Sequence, residues 1–342
     1  TRKLGTFSVY GLGGVSEASD VYTNFFNSQR FDAKESEEYK LGLAGISNIA
    51  NLSKNSYLET SLSLSKTRYD YFEQNYRISE DQQRAYVYTG DSEDYKNTAT
   101  RLSLAYSTKF NARHSSKFGF IYSGLGHELN SSGLLDENVP LYQSSEKGSF
   151  GMIQSYFSHK MNLTDQLTLS GGVHYLRLDL NGQESVEPRF GLKWTFKPNQ
   201  SLSFGFGIHS RREESSLYFT ELALNDNTFI QPNTSLDLAK ARHYVLGYDW
   251  NFNKDFHLKL EAYYQDLYNI PVSTDPSVLY SALNQEDAYQ RLTLTNGGTG
   301  KNYGLELTME KFLSRGYFFL FTGSLYESKY STLAGIEYNT RY

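Results

Sequence analysis

The 342-residue chain contains no cysteine, which excludes a disulfide framework and any Cys-ligated zinc or iron–sulfur site. No apolar run approaches the roughly 18 residues of a transmembrane helix, and the mean hydropathy is negative, so a helical membrane protein is excluded. No strong charge of either sign is present: 33 Lys and Arg against 38 Asp and Glu leave −5, which gives no footprint for nucleic acid. Proline is scarce, at 6 residues. None of these absences touches a transmembrane β-barrel, whose alternating strands hide their hydrophobicity from averages.

What the chain has in plenty is aromatic: 29 Tyr, 22 Phe and 2 Trp. Its dominant period is two. Leu58, Thr60, Leu62 and Leu64 alternate with Glu59, Ser61 and Ser63, and Leu102, Leu104 and Tyr106 with Arg101, Ser103 and Ser107. The same pattern recurs at Phe190–Phe196, Leu202–Ile208, Tyr244–Phe252, Phe256–Tyr264 and Tyr303–Met309. Segments with one apolar and one polar face are strands. Short polar turns are expected near residues 52–55, 111–114, 162–166, 197–200, 253–255 and 313–316. Long polar loops are expected at 15–37, 73–94, 130–147, 212–239 and 271–290, with one brief link near 181–187. This predicts six hairpins, a leading strand near 3–14 and the start of another near 336–342, or about 13–14 strands in one meander. No helix-period segment interrupts it, so residues 1–342 are expected to form a single all-β domain.

Many of these strands run about 12–16 residues, against a soluble mean of roughly 5–6, and about 9–11 tilted residues span a bilayer. Aromatics crowd the tight-turn end at Tyr57, Phe110, Phe118, Phe196, Phe252, Phe256, Phe312 and Tyr317, where an interfacial girdle belongs. The polar faces carry Arg189, Lys193, Lys259, Glu261, Glu306 and Glu310, which would be costly in a dry core but not in a wet or plugged lumen. The fold predicted is a transmembrane antiparallel up-and-down β-barrel, with short turns on the periplasmic side, long loops outside, and outer-membrane lipid around it.

Motifs for chemistry are weak. NGGTGKN at 296–302 fails as a phosphate loop, because Asn302 stands where Ser or Thr is needed and Thr295 where glycine is needed. GLGG at 11–14 opens no helix. The seven histidines (His114, His127, His159, His174, His209, His243, His257) are scattered, and the acidic stretches 79–83 and 91–94 read as solvated loop tips. No catalytic, cofactor-binding or metal-binding residue is expected, and enzymatic activity is not expected.

The stretch VEPRFGLKWTFKPNQSLSFGFGIHSR at 186–211 resembles the barrel of TonB-dependent receptors of the Bacteroidetes type. ARHYVLGY at 241–248 follows a loop with Asn233, Leu236 and Lys240; LEAYYQDLYNIPV at 260–272, LTNGGTGKNYGLELTMEKF at 294–312 and the tail at 316–330 continue the likeness. It is strongest over 186–342 and architectural before that. The resemblance implies a barrel of roughly 22 strands with its lumen closed by a plug. It also implies energised uptake of an iron chelate, vitamin or glycan with a TonB-type partner. With no plug and fewer strands here, the chain is expected to be a portion of a longer barrel, its partners reached through that remaining sequence. A passive porin or structural barrel subunit is the alternative, and a soluble β-rich adhesin or carbohydrate-binding module a third. The ligand and its contacts are left open; the aromatics Tyr86, Tyr88, Tyr218, Phe219, Phe229, Tyr280 and Tyr289, all expected in loops, suit sugars and chelates alike.

Overall fold

The computed structural model describes residues 4–26, 29–78, 84–136, 139–223, 228–284 and 291–341. The chain forms β1 (Thr6–Phe26), β2 (Gln29–Asn51), β3 (Ser56–Ile78), β4 (Arg84–Lys109), β5 (His114–Asp136), β6 (Val139–Asn162), β7 (Leu167–Leu178), β8 (Glu184–Lys197) and β9 (Gln200–Arg211). A short α1 (Ser215–Phe219) and the two-residue strands β10 (Leu222–Ala223) and β11 (Phe229–Ile230) follow. Then come β12 (Ala239–Asn251), β13 (Phe256–Ser273), β14 (Leu294–Ser314), β15 (Tyr317–Ser331) and β16 (Glu337–Asn339). All but β10 and β11 join one 14-stranded antiparallel sheet in chain order, with β1 at one edge and β16 at the other. The six expected hairpins, the leading strand and the last short strand are all present.

Four of the six tight turns have a visible local cause. Asn111 Oδ1 accepts the Arg113 and His114 amides, Asn253 Oδ1 the Asp255 amide, and Thr164 Oγ1 the Gln166 and Leu167 amides. Such side chains mimic a backbone turn. The β14–β15 turn instead uses positive φ at Arg315 (52°) and Gly316 (83°), the geometry that matches strand twist.

Three of the five expected long loops, 15–37, 73–94 and 130–147, are instead continued strands: β1–β2, β3–β4 and β5–β6 run on as hairpins past the apolar band. Asp91–Asp94 therefore lie in β4, while 79–83 fall outside the described residues. The alternation fades there because the outward face turns polar, yet the hydrogen-bond ladder does not depend on that contrast. Among the described residues, the other two expected loops keep that character: 212–238 holds only α1, the only described helix, and the short β10 and β11, and 274–293 holds no strand.

Register divides the sheet into two faces. One line across the outward face reads Met161, Leu169, Leu192, Phe204, Leu246, Ala262, Leu305 and Leu325, from β6 to β15. A second, from β1 to β6, reads Val9, Ile46, Leu62, Leu102, Tyr122 and Ile153. Above this band, away from the tight turns, outward charges form a row of pairs: Arg68–Asp94 at 3.1 Å, Lys96–Glu128 at 3.2 Å, Arg242–Asp266 at 2.5 Å and Lys301–Glu337 at 2.5 Å. Below it, Lys311 is buried among turn atoms, donating to the carbonyls of Phe312, Ser314 and Tyr317 and lying over the Tyr317 ring. An apolar belt bounded by charge on both sides is a lipid-facing surface. Of the girdle aromatics, Tyr57 turns inward with Glu59, while Trp194 and Trp250 join the outward ring.

Candidate functional site

The inward face carries the charges that the sequence assigned to it: Arg189, Lys193, Lys259, Glu261, Glu306 and Glu310. Lys259 pairs with Glu261 at 2.6 Å, His257 with Asp249 at 2.6 Å and Lys117 with Glu59 at 3.5 Å. Glu187 is almost fully buried and accepts from His174 Nδ1 (3.0 Å), Arg189 Nη2 (2.8 Å), the Ser210 amide (3.0 Å) and the Ser210 hydroxyl. Charges in these numbers need water or partners opposite them.

Into this lumen folds the loop between β9 and β12. Leu217, Tyr218 and Phe219 of α1, with Leu236 and Leu238, pack on Phe150, Met152, Leu176 and Leu178 of the inner wall and on Tyr280 and Leu294. Burial pushes the Tyr218 phenol up to about 12, and its oxygen accepts the Glu213 amide at 3.3 Å. Amides hold the loop in place. Asn233, fully buried, donates to the Leu292 carbonyl and accepts the Leu294 amide, both at 2.9 Å. Asn181, in the brief β7–β8 link, donates to the carbonyls of Thr234 and Leu236. Asn296 Oδ1 accepts the Asp237 amide and its Nδ2 donates to the carbonyls of Asp237 and Asn269. Asn269 itself sits at φ 56°, within the β13–β14 irregularity.

Between the infolded loop and β2–β7 lies a cavity of about 1290 Å³. Tyr39, Tyr69 and Tyr95 line one side; Arg101, Arg211, Arg212 and Arg291 contribute guanidinium groups, and Glu93, Glu213 and Glu214 carboxylates. Arg101 Nε donates to Ser123 Oγ at 3.2 Å, and Arg212 packs 5.7 Å from the Phe150 ring while donating to the Glu213 carbonyl. Glu213 is buried with one carboxylate oxygen unpartnered, and burial pushes its carboxyl up. Guanidinium forks and phenol faces bind planar or anionic groups rather than perform bond chemistry. Among the described residues no group of three or more His, Cys, Asp or Glu side chains is placed to hold a metal.

The sequence singled out other residues for ligand contact. Tyr218, Phe219 and Tyr280 are core of the infolded loop instead, and Phe229 is exposed. Tyr289 and the side chains of Tyr86 and Tyr88 lie outside the described residues. The signal for the cavity was available in strand parity, which puts Tyr39, Tyr69, Tyr95 and Arg101 on one face, and in the RREE run at 211–214.

The family model described as TonB dependent receptor-like, beta-barrel, matches residues 3–341. No curated protein matches the chain. Among solved structures, the ferric-catecholate import receptor Fiu of E. coli K12 superposes with TM-score 0.60 at 8% identity, covering 97% of this chain and 66% of that one. BauA, the ferric preacinetobactin receptor of Acinetobacter baumannii, gives 0.58 at 12%, covering 94% and 54%. The RagAB peptide importer gives 0.58 at 12%, covering 91% and 39%. At these identities the likeness is one of fold, and the chain spans between 39% and 66% of the lengths of these three proteins.

Proposed function

The chain belongs to the TonB-dependent receptor β-barrel family, and from that premise we propose that it forms the ligand-facing wall of an outer-membrane receptor importing a bulky, partly anionic solute. The observation that carries this is the lumen cavity lined by four guanidinium groups and three phenols beneath an infolded loop. Such a site selects a ligand by multidentate hydrogen bonding and ring contact. The buried loop core is also more than an open water-filled pore requires. Binding followed by energised uptake, not catalysis, is the activity. A plug domain and a TonB-type partner act through the remainder of the receptor. Residues 1–342 are one barrel domain on this reading, supported by the unbroken meander from β1 to β16.

The test is uptake by cells carrying the intact receptor, offered a panel of ferric chelates, a corrinoid, oligosaccharides and peptides. Accumulation of one class that requires the energising partner and falls at least tenfold in an Arg101→Gln/Arg212→Gln variant is expected. Permeation that ignores both the partner and these arginines would establish a passive porin instead.

A further inference from the structure

The two ends of the sheet differ in charge in a way that transport does not call for. At the tight-turn end, five of the six hairpins present one exposed cation each: Lys54, Arg113, Lys197 at the close of β8, Lys254 and Arg315. Only Arg113 has an ion pair among the described residues, a long one of 3.8 Å to an exposed Asp165 on the sixth turn. The cation one layer deeper, Lys311, is engaged by turn carbonyls and is thereby unavailable. By contrast, cations of the opposite boundary are held in acid–base pairs, Lys96 with Asp94 and Glu128, and Arg242 with Asp266, with Lys66 an exposed exception.

These cations do not stand alone. Outward aromatic rings lie just on the lipid side of four of them: Phe110 below Arg113, Trp194 below Lys197, Trp250 and Phe252 below Lys254, and Tyr317 beside Arg315. Rings of this kind settle at the glycerol level of a leaflet, which puts the cations a few ångströms beyond, at the depth of the phosphates. Four of the turns therefore repeat the same two-part arrangement, an apolar anchor followed by an exposed cation, with Asp165 facing Arg113 and Asp255 next to Lys254 as the acids nearby.

We propose that this rim is a binding belt for anionic phospholipid headgroups of the periplasmic leaflet. The inference rests on the assignment of the tight turns to the periplasmic side. Lipids with net negative charge are enriched around the barrel there, and the belt fixes its depth in the membrane.

The intact receptor in a non-ionic detergent, offered equimolar phosphatidylglycerol and phosphatidylethanolamine and read by native mass spectrometry, tests this. Phosphatidylglycerol is expected to be retained preferentially. A K54Q/R113Q/K197Q/K254Q/R315Q variant, checked for folding by heat-modifiable migration, should lose about fivefold or more of that preference. K197Q/K254Q should lose part of it, which keeps the test open if the larger variant does not fold. A K40Q/K96Q/K301Q variant at the opposite boundary should keep it, and inorganic phosphate at equal concentration should not displace the lipid. Equal retention of both lipids by the native receptor overturns the proposal. So does an unchanged preference in the folded five-site variant, or a rim that binds peptidoglycan with no lipid preference.

Discussion

Leu260→Arg separates a lipid-facing wall from a two-sided protein core. Leu260 sits on β13 between Tyr248 of β12 and Leu307 of β14, with 43% of its surface exposed in the isolated sheet. It lies four residues from Phe256 at the turn and six from the outward Asp266. A strand tilted by about 45° climbs roughly 2.4 Å per residue, so Leu260 stands about 10 Å above one boundary and 14 Å below the other. That is close to the middle of a band about 25 Å tall, where an arginine costs about 2–4 kcal/mol. The adjacent inward residue supplies the control. Glu261→Gln gives up a half-exposed ion pair with Lys259, worth at most about 1 kcal/mol. Denaturant titration of the intact receptor in liposomes, with folding followed by band shift, measures both. Equal penalties at the two positions would refute the assignment of faces.

Asn233→Ala leaves the Leu292 carbonyl and the Leu294 amide without their partner, a loss of about 2–4 kcal/mol confined to the infolded loop; hydrogen exchange should rise across 212–238 while the β2–β4 strands stay protected. Gly148→Val places a side chain where the Phe219 ring now lies, so that ring must move and loosen the packing of α1 on the wall, and Tyr218 should become more reactive to iodination. His127, beside the boundary residue Glu128 and stacked on Phe219, donates from Nδ1 to Asn97; His127→Ala removes the ring against which Phe219 packs, so exchange of the 215–219 amides at fixed pH should accelerate while that of β1 and β2 stays unchanged.

Where local chemistry decides the structure, the sequence is sufficient. The turn at Asn111 and the turn at Asn253 are visible because one side chain makes each of them. The faces of β8, β9 and β13 are visible because lipid on one side and charge on the other enforce period two. The continuation of β1 and β2 past Val15 and Lys40 is not, since both faces are polar there and only the ladder persists. The inward turn of the β9–β12 loop is likewise hidden. Tyr218, Phe219 and Tyr280 read as displayed aromatics until Phe150, Met152 and Leu178 on a distant wall are known to meet them. Asn233 was recognised by family likeness, yet its role depends on backbone atoms about sixty positions along the chain, at Leu292 and Leu294.

The central claim is that one face of this sheet meets lipid and the other a wet lumen, and it is tested most directly on β3, where family likeness is only architectural. Single spin labels at positions 58 to 64 of the intact receptor in bilayers, exposed to oxygen and to a water-soluble nickel chelate, report the two environments. Labels replacing Leu58, Thr60, Leu62 and Leu64 should relax with oxygen, and those replacing Glu59, Ser61 and Ser63 with nickel. Accessibility without alternation, or alternation of the opposite parity, would contradict the membrane barrel itself.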